Sequence, residues 1–346
     1  MFNFHGNLKS LMSGAVMAGS LLIPSVAASE IVLKVADTFP PGHYIVKEGV
    51  EFWIKRIEEL TDGEVKIQYF GAGQLGKLRD MFSLTQQGVT DIGYVPPAFN
   101  GGTMPLSGVH SLPSLFSSSS VGSPAFLDTV NNTAILQNDY LDNGIRPLWG
   151  IMTSTYNLFT RGVEVNGIED MEGLKLKAVA GNMSQAIELL GGSPVDIPSP
   201  ETYQSIRTGT VDGAIFPATS VYSYKLNEVV DTAVLGIDMF VYYAPFVINE
   251  DKWQSLPPNV QEALVQAGQE AMERVAAYTD VKVVELEKTL VEDGIKVIKL
   301  TPEQQTELRA TISVVADNWV ADMESRGLPG GEVLEAFKAN IAERSK

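Results

Sequence analysis

The chain has 346 residues, 45% of them apolar and 19% charged, with a formal net charge of −17. A surface that acidic repels phosphate backbones and excludes nucleic acid as an expected partner. The chain has no cysteine, which excludes disulfides, thiolate metal sites and cysteine nucleophiles and leaves stability to apolar burial.

Residues 1–28 have the layout of a secretory signal peptide: one charge at Lys9, an apolar run over 11–22, and Val26-Ala27-Ala28 before the cleavage point. The run is too short and too rich in Gly and Ser for a permanent anchor, which needs ~20 apolar residues. Cleavage after Ala28 predicts an exported, soluble protein with chain enough for two cores at ~100–200 residues each.

Residues 31–36 are a β-rich run that ends at Asp37, before the Pro40-Pro41-Gly42 loop. Val50, Trp53, Ile54 and Ile57 recur at helical spacing and predict a helix over 48–60. Strands at 65–70 and 91–95 flank a helix at 78–87. This β-α-β-α-β order predicts a mainly parallel sheet with helices on its faces. A second round opens near residue 145, with strands at 145–150, 155–160 and 174–179 and a helix over 184–190. Ser199 as N-cap and Pro200 in the first turn predict a helix to 208, and a strand follows at 212–216.

Gly88-Val89-Thr90-Asp91 and Gly209-Thr210-Val211-Asp212 each close a helix and open a strand, an echo that points to two similar lobes. The serine stretch 117–120 reads as an exposed loop. From 257 to 293 one helical pattern runs with a single internal glycine, Gly268. At ~1.5 Å per residue it spans roughly 50 Å, wider than one lobe, and predicts a brace shared by both. Thr301-Pro302-Glu303-Gln304 is a capping box, residues 327–331 break the helix it opens, and a last helix is expected over 332–342.

Gly71-Ala72-Gly73-Gln74-Leu75-Gly76 matches G-x-G-x-x-G between a strand and a helix. It sits at the second β-α turn, with its nearest acid at a strand, Asp91, too close for a dinucleotide fingerprint. A tight turn explains it better. The mature histidines, His43 and His110, show no zinc-ligand spacing, and no G-x-S-x-G elbow exists. No metal, cofactor or catalytic residue is expected. Aromatic side chains instead gather where strands end: Tyr44, Tyr94, Trp149, Tyr156 and Phe216, with Tyr242 in a later apolar run. In open parallel sheets ligands bind beyond the carboxyl ends of the strands, so these residues predict an aromatic-lined cleft.

Gly167-Ile168-Glu169-Asp170-Met171-Glu172-Gly173-Leu174-Lys175-Leu176-Lys177 carries a pattern with a family likeness. Together with 191–198, 203–213 and the turn at 70–76, it resembles the solute-binding proteins of tripartite ATP-independent periplasmic (TRAP) transporters, the C4-dicarboxylate-binding-like family. The resemblance implies an α/β, two-lobed periplasmic binding protein of type II-like architecture, with hinge strands and a long helix shared by both lobes. It implies lobe I over 29–154 with about 243–282, and lobe II over 155–242 with about 283–346. A small organic solute, usually a carboxylate, would pass to two membrane subunits driven by an ion gradient. No catalysis is implied, the expected location is the periplasm, and a monomer is expected.

The chain departs from the family pattern at the clamp. Members usually carry arginine where Lys177 stands and asparagine where Phe216 stands, and a second arginine would fall near Tyr156 or Asn157. Lysine offers a point charge without the guanidinium fork. These losses favour an amine or amino alcohol, held by aromatic faces through cation–π contact at roughly 0.5–2 kcal/mol and by Asp37 as counter-charge. A carboxylate held by Lys177 or a neutral polyol stays open, as do two other classes: an exported two-lobed enzyme, and an accessory that presents its ligand to a membrane sensor. The candidate ligand residues are Asp37, His43, Tyr44, Tyr94, Trp149, Tyr156, Lys177, Phe216 and Tyr242.

Overall fold

The structure, a computed structural model, describes residues 1–3, 30–179 and 181–346. The expected signal segment lies, past its first three residues, outside the described residues. In chain order the first elements are β1 (Ile31–Ala36), α1 (Glu51–Leu60), β2 (Val65–Phe70), α2 (Met81–Gln86), β3 (Ile92–Tyr94), α3 (Ser119–Asn132) and β4 (Ile145–Met152). The chain then crosses to β5 (Tyr156–Thr160), β6 (Lys175–Ala178), α4 (Asn182–Leu189), β7 (Ser193–Asp196), α5 (Thr202–Arg207), β8 (Gly213–Pro217) and β9 (Thr232–Leu235). It returns as β10 (Tyr243–Asn249) and α6 (Glu250–Ser255), and α7 (Pro258–Glu292) leads to β11 (Lys296–Lys299). Three helices finish it: α8 (Pro302–Ile312), α9 (Val314–Ser325) and α10 (Gly330–Arg344).

Two sheets result, in the orders β2-β1-β3-β10-β4 and β11-β9-β5-β8-β6-β7. Each has a parallel β-α-β half (β1 with β2 and β3, β6 with β7 and β8) joined to one antiparallel strand, β10 or β5, contributed by the crossing chain. The expected mainly parallel sheet is therefore mixed, because the strands next to each crossing must run back against their neighbours. The sequence echo has a structural counterpart. Gly88 and Gly209 take φ of +70° and +72°, and the Asp91 and Asp212 carboxylates accept the Lys34 and Lys175 backbone N–H at 2.7 and 2.8 Å. Each aspartate thus ties the opening of the third strand of its unit to the first.

The lobes meet where the chain crosses. Thr153 N–H donates to the Tyr242 carbonyl at 2.9 Å and Tyr156 N–H to that of Phe240 at 2.8 Å, so two antiparallel segments form the hinge. Helix α7 packs on α1, α3 and β4 at one end and places Leu286 and Leu290 in the second lobe's core at the other, the brace its length predicts. Gly268 lets it approach Trp149, whose Cβ would lie 3.0 Å from an added methyl.

Three expectations change. The serine stretch is not an exposed loop: Ser118 caps α3, accepting the Val121 N–H, and Ser119 is buried. Ser199 and Pro200 open a 3-10 turn, and α5 itself begins at Thr202. Helix α10 lies on α3 of the first sheet's layer, with Phe337 edge-on to Phe126 and Asn340 bonded to Thr129, whereas all of 283–346 was expected with the second lobe.

Candidate functional site

Between the sheets lies a narrow cleft walled by side chains from both lobes: Phe39, His43, Tyr94 and Tyr242 face Tyr156, Phe216 and Tyr224, with Thr153, Ser199 and Ser220 among the rings. Its volume, about 20 Å³, holds little more than one water, so a solute enters only when the lobes part. Two wider grooves flank it at the lobe junction, about 570 Å³ beside Arg79 and Asp196 and about 480 Å³ beside Tyr44 and Tyr278. The convergence of polar tips and ring faces singles out the inner cleft.

The first wall is built by the turn after β1. Gly42, at φ +84°, allows the chain to double back, and Phe39 donates its N–H to the Asp37 Oδ1 at 3.0 Å. Phe39 then stacks on His43 at 4.6 Å and against Tyr94 at 4.4 Å between centroids, contacts worth about 0.5–1.5 kcal/mol each. The Ile45 N–H donates to His43 Nδ1 at 3.2 Å, which puts the ring proton on Nε2. Burial holds this imidazole neutral, its pKa pushed down to about 3. Tyr94 and Tyr242 hydroxyls bond to each other at 3.0 Å. Burial, and then the nearness of other phenols, raises the pKa of Tyr94, Tyr156 and Tyr224 well above the usual phenol value.

The second wall hides a charge. Lys177, on β6, is fully buried, with Nζ 5.0 Å from the Phe216 ring centroid and no hydrogen-bond partner among the described residues. The ring favours the cation by roughly 0.5–2 kcal/mol. Desolvation opposes it and wins: the pKa falls from 10.5 to about 7, with Asp196 attracting the cation weakly, a shift worth roughly 5 kcal/mol.

The structure brings together five of the nine candidates, His43, Tyr94, Tyr156, Phe216 and Tyr242. Lys177 stands behind Phe216. Tyr44 stacks beneath His43 and faces the outer groove with Tyr278. Asp37 is spent on structure: its Oδ2 accepts the Tyr69 hydroxyl at 2.6 Å, and burial raises its pKa to about 6. Trp149 is a correction. It lies in the first lobe's core, stacked on Phe246 at 4.9 Å and near Trp53, because β4 pairs antiparallel with β10 and the rule for parallel strand ends does not reach it. Phe39, Tyr224 and the three hydroxyl residues were missed. Phe39 and Tyr224 follow β1 and β8 closely enough for that rule to have found them.

The family model for bacterial extracellular solute-binding protein, family 7, matches residues 35–322. The chain belongs to this family. The 2,3-diketo-L-gulonate-binding periplasmic protein YiaO of Escherichia coli K12 is 27% identical to it over 288 residues, 81% of this chain and 83% of its own. A TRAP solute-binding protein of Rhodoferax ferrireducens T118, solved with copurified benzoate, superposes at a TM-score of 0.84 and 20% identity, over 91% of this chain and 98% of its own. One from Bordetella bronchiseptica, with bound (R)- and (S)-mandelate, does so at 0.82 and 24% identity, over 90% and 99%. At these identities the solved structures speak for the two-lobed fold. This family 7 protein is thus a bacterial extracellular solute-binding protein with the two-lobed fold of the solved TRAP solute-binding proteins.

Proposed function

We propose that the solute is a small organic carboxylate with a flat, largely apolar body, captured by closure of the two lobes and released unchanged to the membrane subunits. The observation that carries this reading is Lys177, a buried amine with no partner among the described residues, standing behind the Phe216 ring that walls the aromatic cleft. A ring-shaped body would lie between Phe39, Tyr94 and Phe216, with its carboxylate drawn toward Lys177 and the hydroxyls of Ser199 and Ser220. The benzoate and mandelate in the Rhodoferax and Bordetella proteins support a flat acid. The expected amine reading is favoured by the uncharged lining, but its counter-charge is gone: the Asp37 carboxyl already takes the Tyr69 hydroxyl and the Phe39 N–H.

Native mass spectrometry of the purified protein, with identification of any small molecule released on denaturation, tests the choice. A released carboxylate, or saturable binding of benzoate or mandelate, supports it. A released amine, with no carboxylate binding, returns the site to cation–π recognition. Turnover of the solute would place the chain with the exported enzymes.

A further inference from the structure

Inside the first lobe, away from the cleft, four buried polar atoms have no hydrogen-bond partner among the described residues: Ser107 Oγ, His110 Nε2, Tyr140 OH and Tyr243 OH. Ser107 and His110 belong to one 3-10 turn, Leu106–Ser111, and Tyr140 ends a short helical turn, Leu136–Tyr140. The Asp139 carboxylate ties the two turns together, accepting the Ser107 N–H at 2.5 Å and the Leu106 N–H at 3.4 Å. Tyr243 opens β10 and reaches in from the sheet, its hydroxyl over Gly150, where an added Cβ would meet it at 2.7 Å. Its ring lies 6.3 Å from that of His110, and both pack on Phe126 of α3, at 4.6 and 5.7 Å between centroids. Burial raises the Tyr140 pKa well above the usual phenol value, with nearby Tyr243 and Asp139 adding to the rise and Ser107 opposing it. The four tips thus share one neighbourhood.

Their chemistry selects a ligand. His110 Nδ1 lies 2.6 Å from the Ser107 carbonyl, which can only accept, so the ring proton sits on Nδ1 and Nε2 presents a lone pair. That lone pair needs a donor, while the three hydroxyls each donate and accept. Buried groups of this kind are almost always hydrogen-bonded. Leaving several orphaned costs more than ordering a water that joins them. A metal ion suits the place less, since among the described residues no three His, Asp or Glu side chains gather to hold one. We propose that the first lobe carries an internal site for about one or two waters, which donate to His110 Nε2, bridge the Ser107, Tyr140 and Tyr243 hydroxyls, and fasten the hinge from behind. Tyr242 turns into the cleft and Tyr243 turns to this site. Beside them the Thr153 N–H closes the hinge on the Tyr242 carbonyl. Met152, opposite Tyr243 in register, is held in turn by Ser119 and Ser123. The water completes that support, whichever class of solute the cleft takes.

A crystal structure of the purified protein at atomic resolution tests the site. An ordered water should lie within hydrogen-bond distance of His110 Nε2 and of at least two of the three hydroxyls, with or without benzoate. Side chains that bond one another directly there, with no water between them, overturn it. Hydrogen exchange reads the anchoring. Tyr243→Phe keeps the ring and removes one partner of the water, so the Thr153 and Tyr242 amides should exchange roughly two- to tenfold faster, while amides of the second sheet keep their rates. Tyr140→Phe removes a partner on the far side of the site. It should speed the same two amides, because the water is what joins it to the Tyr243 hydroxyl. Unchanged rates at Thr153 and Tyr242 in both variants overturn the anchoring role. Faster exchange in Tyr243→Phe alone assigns the effect to that tyrosine's own packing and overturns transmission through the water.

Discussion

Lys177 is the side chain with most to gain from substitution. Its ammonium is stable in the unfolded chain and half lost in the folded one, since its pKa is depressed from 10.5 to about 7. The unfolded state therefore binds more protons between those values, and stability rises with pH across that window. Lys177→Met removes the titration and keeps the volume. It should raise stability at pH 7 by up to about 4 kcal/mol while removing carboxylate binding; urea melts at pH 7 and benzoate titration check both halves. At lower pH four buried groups oppose one another. His43 and His110, depressed to about 3 and about 4, make the protein more stable as pH rises toward 6.5, whereas Asp37 and Asp139, raised to about 6, make it less stable over the same range. Between about pH 4 and 6 their slopes cancel. Asp37→Asn breaks the cancellation, so its stability relative to the unsubstituted protein should rise by about 1.4 kcal/mol per pH unit from pH 4 to 6, read from urea midpoints at pH 4, 5 and 6. Residue type and strand position made the rings of this site legible in the sequence. Its polar tips were not, because Thr153, Ser199 and Ser220 have the same chemistry on any surface, and the loss of Asp37 to Tyr69 depends on a contact across 32 residues.

Elements were legible where a local signal fixes them. The capping box at Thr301 forms as its pattern requires, with Thr301 and Gln304 satisfying each other's backbone. The long helix α7 begins and ends within a residue of its expected bounds. The strands β7, β9 and β11 were not read, since four-residue runs such as Ser193–Asp196 carry no periodicity and exist through their neighbours. Gly268 shows the same limit. In sequence it is a weak point in a helix, costing about 1 kcal/mol against alanine. In the fold it is the place where α7 meets Trp149, itself fully buried and pressed from the other side by Gly49. Gly268→Ala therefore gains helix propensity but sets a methyl 3.0 to 3.2 Å from three indole-side atoms. Collision should win, because the ring is fixed between two backbones, and the variant should lose about 1–3 kcal/mol of stability. A denaturation midpoint above that of the unsubstituted protein would mean that Trp149 can yield.

For the whole molecule, the two sheets repeat one plan, β2-β1-β3-β10 against β7-β6-β8-β5, and each lends the other its antiparallel strand through the crossing. The two bodies are joined by the crossing segments near Thr153 and Tyr242 and by α7, which spans both. Only a ligand that touches both walls shifts the balance of open and closed, because a shift requires different affinity for the two states. The Arg79–Asp196 ion pair, formed across the lobe junction at 2.7 Å, biases closure too, but weakly. Both side chains are more than a third exposed, at 47% and 37%, so the pair is worth about 0.2–1 kcal/mol, no more than a roughly fivefold change in the ratio of closed to open. The absence of cysteine makes this measurable. Lys77→Cys with Glu201→Cys places spin labels on opposite walls of the groove beside that pair. Saturating benzoate should collapse the distance distribution to its short component. Arg79→Gln should shift the ligand-free distribution toward the long one by that modest factor and leave the benzoate-bound one short. A large shift with benzoate present would mean that the ion pair, rather than the solute between the aromatic walls, holds the lobes together.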